Sequence, residues 1–248
     1  MFSNENFKEY RKNLGFSSKV DFKNFLSAKD IEASVDFAYI GQLNDRLCEI
    51  FAKINQIYYN PCDIDKFLQT HLFLTFEKLK NNGILNKLNN QGRRKEEVYF
   101  SWMRGFLSLE YFKNAICDIF EVEISQIKSI GDDKFDSLDS FKRTPKADLE
   151  FKNYRIEVQS GFQGINDIKQ HKVLEAKRVF NDEKIQTLVL HFDLFNGQVA
   201  FVDISSIEDD DLNWITRQQM EGQTVFNIDQ NYFRWLINHK PPKLNEIL

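Results

Sequence analysis

The chain has 248 residues, 42% hydrophobic and 14% aromatic. That supports one sizeable core and excludes disorder along the whole length. With only 10 Gly and 4 Pro a many-turned all-β fold is disfavoured, and a net charge of −4 with a pI near 5.7 excludes a uniformly basic nucleic-acid binder but not a local basic cleft.

The three cysteines, Cys48, Cys62 and Cys117, are widely spaced with no CxxC, so neither a zinc site nor a disulfide framework is expected. The opening MFSNENFKEYRKNLGF carries no apolar signal core. No uncharged apolar run approaches the roughly 18 residues of a membrane span. A cytoplasmic, non-membrane protein is the expectation.

Taken in chain order, the first part reads as helical. Ile31, Val35, Ala38, Leu43, Leu47, Ile50, Phe51 and Ile54 recur near helical spacing, with Asp30 as N-cap and Asn60-Pro61 as stop. DIDKFLQTHLFLTFEKLKNNG predicts a second helix, with Lys78 and Lys80 near its end and Gly83 as C-cap. Asn86 to Gly92 reads as a loop. KEEVYFSWMRGFLSLEYFKNAICDIFEV predicts a third helix, apolar around much of its circumference and therefore buried.

After Ile130 the character changes. GDDKFDSLDSFKRTP is polar and turn-rich. ADLEF and YRIEVQ alternate and read as strand, turn, strand, joined at Lys152-Asn153. INDIKQHKVLEAKRVF returns to helical spacing through Ile165, Ile168, Leu174 and Phe180. IQTLVLHFDLF and QVAFVDI flank Asn196-Gly197, a hairpin signal. QNYFRWLINHK, capped by Asp229 and stopped by Pro241-Pro242, predicts a last helix. The expectation is an α/β (α+β) fold with a mixed central sheet flanked by helices. Its division is a helical region over 1–92 and a core over 93–248, or one compact domain over 1–248.

The first hairpin concentrates the chemistry. A two-residue turn pairs Leu149 with Ile156 and sets Asp148 opposite Glu157. Opposed Cβ atoms lie about 4.5–5.5 Å apart, and like charges there are destabilising. Two such carboxylates favour a proton on one or a cation between them. Mg²⁺, a hard ion that takes one or two carboxylates and contacts phosphate, fits that demand. The competing reading is an ordinary exposed strand, with Glu150 facing Arg155 as a surface pair and Lys146 offsetting Asp148.

The wider pattern is Pro145, Ala147, Asp148, Leu149, a tight turn, Ile156, Glu157, Val158, Gln159, Ser160-Gly161 and then a basic helix. It resembles the PD-(D/E)XK nuclease core over Thr144 to Phe180, under a fifth of the chain. Gln159 stands where that family usually has Lys. This variant is similar to the E-x-Q form of the BglII and BstYI type of restriction endonuclease. The resemblance implies a restriction-endonuclease-like core and a Mg²⁺-dependent type II enzyme that cuts double-stranded DNA, acting as a homodimer. It implies Asp148, Glu157 and the Val158 backbone carbonyl as metal ligands. Gln159, uncharged and neither acid nor base near neutrality, would position the attacking water. A repair or nicking nuclease on the same core, or an inactive nuclease-like binding protein, are the alternatives.

The resemblance also implies a further acid on a helix before the hairpin, for which Glu97 is the candidate and Glu110 second; Glu96 and Glu97 equally read as ordinary solvated residues of a helix's first turn. Arg93, Arg94 and Lys95 form the densest basic run and are candidate DNA contacts. Lys169 and Lys172, three apart, are others, set against a solvated amphipathic face. His71, His171, His191 and His239 show no ligand spacing, and His191 reads as structural. No G-x-S-x-G turn and no Walker loop are present. Tyr232, Phe233 and Trp235 read as packing residues, and Asp209 to Asp211 as a solvated run.

Overall fold

The computed structural model describes residues 3–28, 31, 34–59, 62–88, 93–131, 135, 137–141, 144–208, 213–217 and 223–247. The chain divides into two compact units, Met1–Asp36 and Phe37–Leu248. The helices of residues 37–92 therefore share a unit with the sheet. Asp30, Asn60-Pro61 and Asp209 to Asp211 lie outside the described residues.

The first unit holds helices α1 (Asn4–Asn13) and α2 (Lys19–Leu26). Ser18 caps α2 by accepting from Val20 N and Asp21 N. Neither helix has a buried residue. A small aromatic cluster joins them, with Tyr10 of α1 6.2 Å from Phe22 of α2 and Phe16, between the helices, 4.9 Å from Phe22 and 5.1 Å from Phe25 between ring centres.

The second unit begins with α3 (Phe37–Ile57). Its helix starts later than the spacing predicts, and Ile31 stays outside it, 74% exposed. The next helix runs as expected, but as α4 (Ile64–Leu68), a π-helical turn (Gln69–Phe73) and α5 (Leu74–Asn81). Gly83, at φ +63°, follows its end as the left-handed cap. The long α6 (Lys95–Phe120) is buried over much of its surface, as its composition requires. Tyr99 and Tyr111 on α6 donate to Asn44 and Asn55 on α3 at 2.6 and 2.7 Å, tying the two helices together.

The strands follow: β1 (Lys128–Ser129), β2 (Leu149–Phe151), β3 (Tyr154–Gly161) and β4 (Asp167–Lys169), then α7 (Gln170–Glu183). After these come β5 (Gln186–Asp193), β6 (Gln198–Asp203), β7 (Trp214–Arg217), β8 (Gln223–Asn227) and β9 (Phe233–Leu236). Among the described residues they form a six-stranded sheet ordered β1-β2-β3-β5-β6-β9 and a three-stranded sheet β4-β8-β7. The larger sheet is mixed: β3 and β5 are parallel, joined by the α7 crossover, and its other pairs are antiparallel.

Strand alternation sends Ile156, Val158 and Ser160 to one face and Glu157, Gln159 and Gly161 to the other. α6 covers the first face, where Phe112 stacks on Phe192 at 4.2 Å between ring centres. α7 covers the second, over a core of Val173, Ala176, Val189, Ala200 and Val202 that also takes Ile168 and Phe226 from the small sheet.

Three elements differ from expectation. Ile165 and Ile168 precede the helix: Asp167–Lys169 is a strand paired with Val225 to Asn227. Lys169 and Lys172 therefore do not share a helix face. The Asn-Gly hairpin exists, but Asp193 pairs with Gln198, so its loop is Leu194–Gly197, four residues long. Asp193 fills that loop, accepting from the backbone of Phe195 and Asn196. The expected last helix is a short 3-10 turn, Gln230–Tyr232, followed by edge strand β9. Trp235 packs as expected, buried against Phe112 and Phe192, but from a strand rather than a helix.

Candidate active site

The β2–β3 register is Leu149↔Ile156, Glu150↔Arg155 and Phe151↔Tyr154. One step further, Asp148 N donates to Ile156 O at 3.0 Å, so Asp148 and Glu157 are neighbours across the hairpin as the turn length implies. Beyond Asp148 the ladder stops. Val158 N–H would have lost its partner, and Asp148 supplies one: Oδ2 accepts it at 2.7 Å. A strand residue directs its N–H and C=O to the same edge. The Val158 carbonyl therefore points to the side where Asp148 sits.

Glu157 is 6% exposed. Its Oε2 accepts from Lys172 Nζ at 2.7 Å and its Oε1 from Gln159 Nε2 at 3.3 Å. Lys172 Nζ also donates to the Lys146 carbonyl at 2.6 Å. The first turn of α7 thus inserts a cation where the opposed acids need one. The cation that the opposed acids favour is supplied here by the protein itself. Protein groups satisfy both carboxylates, an N–H for Asp148 and an ammonium for Glu157.

The two acids also open to different sides. Asp148 and Val158 line a cavity of 220 Å³ under α6, with Arg93, Ser101 and Trp102. Glu157 lines one of 320 Å³ under α7, with Pro145, Ala147 and Lys172. Glu150 pairs with Arg155 at 2.8 Å, as the strand reading expected.

A polar chain continues from Gln159 on the α7 face. Gln159 Oε1 lies 3.4 Å from His191 Nδ1, and His191 Nε2 lies 2.8 Å from Asn166 Oδ1. Asn166 Nδ2 donates to Asp193 Oδ2 at 3.3 Å, which turns Oδ1 toward the histidine. Nε2 therefore carries the proton and Nδ1 is an acceptor. Burial, opposed by Asp193 and Asp167, pulls His191 down to about 4, so the ring is neutral at pH 7. A Cβ on Gly161 would lie 2.8 Å from His191 Nε2 and 3.0 Å from Asn166 Oδ1, so only glycine leaves room for this bond. His191 is buried beside Gln159, and its Nδ1 would bond the Gln159 amide if that amide turned its NH₂ toward it.

The remaining candidates separate. Glu97 is exposed on α6 and does not line the Asp148 cavity. Glu110 pairs with Lys113 and lies 3.9 Å from His71, beside a different cavity. Of the basic run, Arg93 reaches the Asp148 cavity, whereas Arg94 lies over Tyr39 and Lys95 Nζ donates to the Asn86 carbonyl. Spacing did not reveal His191 or Asn166 as neighbours of the site, nor what Arg104 faces. Arg104 did leave a trace: it is the one basic residue between Lys95 and Lys113.

Among the described residues no group of three or more His, Cys, Asp or Glu side chains is placed to hold a metal. Asp148, Glu157 and the Val158 carbonyl are hard oxygen donors, the type Mg²⁺ takes, and two carboxylates suffice for it. The donor types suit Mg²⁺, but the two carboxylates line separate cavities, so one ion reaching all three requires Lys172 to yield Glu157 and Asp148 to turn from Val158 N–H. No protein-family model, curated protein or solved structure matches the chain. Among the described residues no helix is long and apolar enough to cross a membrane.

Proposed function

We propose that the chain is a Mg²⁺-dependent endodeoxyribonuclease that cuts double-stranded DNA at a short specific site, in the manner of a type II restriction enzyme. One observation carries the reading. Asp148 bonds to Ile156 and Val158 on either side of Glu157, Gln159 follows on the Glu157 face, and α7 brings a lysine to within 2.7 Å of Glu157. Glu157, Asp148 and the Val158 carbonyl would hold Mg²⁺, and a bound Mg²⁺ supplies Lewis-acid charge stabilisation and an acidified water.

The chain's own groups do the rest. Lys172 provides the positive charge that Gln159 lacks, beside the phosphate under attack. Gln159 is pulled two ways, since Glu157 and neutral His191 both ask for its NH₂. When Glu157 no longer needs that donor, Gln159 gives it to His191 Nδ1 and presents Oε1 to the attacking water. Water attacks phosphorus in line, the P–O3′ bond breaks, and the products carry a 5′-phosphate and a 3′-hydroxyl. Cutting both strands of a symmetric site calls for a homodimer.

A second reading has its own support. Because Lys172 neutralises Glu157 and Val158 N–H engages Asp148, the hairpin is satisfied without metal. An inactive nuclease-like binding protein would look the same. Plasmid DNA with millimolar Mg²⁺ separates the two. Cleavage by the wild type that is lost in Asp148→Ala and Glu157→Ala supports the enzyme. No cleavage, with a melting temperature indifferent to Mg²⁺ and Ca²⁺, supports the binding protein.

A further inference from the structure

Arg104 lies in the middle of α6 and is only 9% exposed. Its guanidinium carbon is 3.6 Å from the centre of the Phe162 ring and 5.5 Å from that of Phe100. Among the described residues no carboxylate pairs with it, and its Nε is buried without a hydrogen-bond partner. Buried cations are ordinarily paired, because desolvation of an unpaired charge is costly. The aromatic faces offset only part of that cost.

Its neighbour compounds the problem. Burial, and then the charge of Arg93, pull Arg104 down to about 10. Arg93 is itself without a carboxylate among the described residues. Its Nη2 is held by the Glu97 carbonyl at 3.1 Å and Ser101 Oγ at 2.8 Å. Ser101 and Arg104 are three apart on α6 and so share a face. Arg93 and Ser101 line the cavity that holds Asp148 and Val158. Arg93 therefore reaches the candidate site directly, and Arg104, which does not line that cavity, follows Ser101 by one turn of α6 with its guanidinium on Phe162. Phe162 is on the strand face of Val158 and just past the end of β3.

We infer that Arg104 and Arg93 form a phosphate subsite, which takes a backbone phosphate of the DNA next to the one attacked. Guanidinium forks match phosphate oxygens in geometry and charge, which lysine does not. The phosphate lies toward the arginines, because the Asp148 carboxylate in the same cavity repels it and is turned to Val158 N–H. The occupant being DNA rests on the nuclease reading; the unpaired cations do not.

The test uses the full chain in EDTA, so that it needs neither metal nor turnover. Binding of a short duplex oligodeoxynucleotide is titrated over a range of salt, in the wild type and in Arg104→Met, Arg93→Met and Arg104→Lys. Each Met variant should weaken binding about tenfold and lower the slope of log K against log salt by about one. Arg104→Lys, which keeps the charge and loses the fork, should fall between. Without DNA, Arg104→Met should melt at or above the wild-type temperature, since it removes an unpaired buried charge. Wild-type affinity and slope in both Met variants overturn the subsite. So does a fall of many degrees in melting temperature on Arg104→Met, which would make Arg104 a structural residue. Inorganic phosphate in place of duplex is the second arm. Arginine-dependent binding of phosphate alone, with no duplex binding, overturns the DNA occupant. Failure of the nuclease reading is seen separately, as absence of Mg²⁺-dependent cutting with the arginine-dependent binding intact.

Discussion

Lys172 Nζ stands 2.7 Å from Glu157 Oε2, with both side chains largely buried and the Lys146 carbonyl taking a second bond from the same ammonium. The pair does two things. It neutralises the acid that opposes Asp148, and it anchors the start of α7 to β3. Removing one member of a buried pair leaves an uncompensated charge, which costs about 3 kcal/mol or more. Lys172→Met should therefore unfold at markedly lower urea, and Glu157→Gln added to it should recover part of the loss. If Mg²⁺ takes the place of the ammonium charge, millimolar Mg²⁺ or Ca²⁺ should raise the melting temperature of Lys172→Met more than that of the wild type. A loss below about 0.5 kcal/mol, the range of exposed pairs, would contradict the pairing.

Asp148 has a structural duty, accepting from Val158 N–H, separable from its proposed chemical one. Asn can still accept the Val158 N–H, whereas Ala cannot. Asp148→Asn should stay within about 1 kcal/mol of wild type, and Asp148→Ala should lose about 1–3 kcal/mol for the orphaned donor. Both should lose cleavage. Chemical denaturation beside a plasmid assay reads the two effects apart.

His191 gives a pH signature. Its folded-state pKa is depressed to about 4 from an ordinary 6.5, burial being the main cause. As pH falls, the unfolded chain takes up the proton first. The stability is fully present above about 6.5 and is lost as pH falls toward 4, a total of roughly 3 kcal/mol. Urea unfolding at pH 7.5 and 5.0 should show this slope in the wild type and a shallower one in His191→Gln. Equal slopes would contradict a buried neutral histidine.

Gly161→Ala tests the same chain by crowding. Its added Cβ meets His191 Nε2 and Asn166 Oδ1 inside normal contact, so the ring or the amide must move. The expected cost is about 1–3 kcal/mol. Cleavage should fall further than stability alone explains, because Gln159 loses the His191 Nδ1 that its turned amide would bond. Unchanged stability and cleavage would detach His191 from the site.

Much of the hairpin could be read from residues alone. The alternation of ADLEF and YRIEVQ and a two-residue turn are local properties, and local properties set the Asp148–Glu157 register. The extent of α6 was likewise legible, because its apolar circumference has one meaning at that length. What failed was long-range. Asp167–Lys169 is extended because β8, more than fifty residues later, pairs with it; its own spacing looks helical. Phe233–Leu236 is a strand because β6 offers an edge, not because of any signal within QNYFRWLINHK. The late start of α7 then decided where Lys172 falls, so the Lys172–Glu157 pair was invisible until the topology was known. Arg104 was passed over because an arginine in an apolar helix says nothing of what it faces.

The central claim is that Asp148 and Glu157 form a metal-dependent cutting site. Long DNA incubated with the wild type and millimolar Mg²⁺, followed by sequencing of the fragment ends, tests it most directly. Ends that share one short sequence, absent in EDTA and absent with the folded Asp148→Asn and Glu157→Gln variants, are the predicted result. Intact DNA with the wild type, or the same ends from either variant, would contradict it.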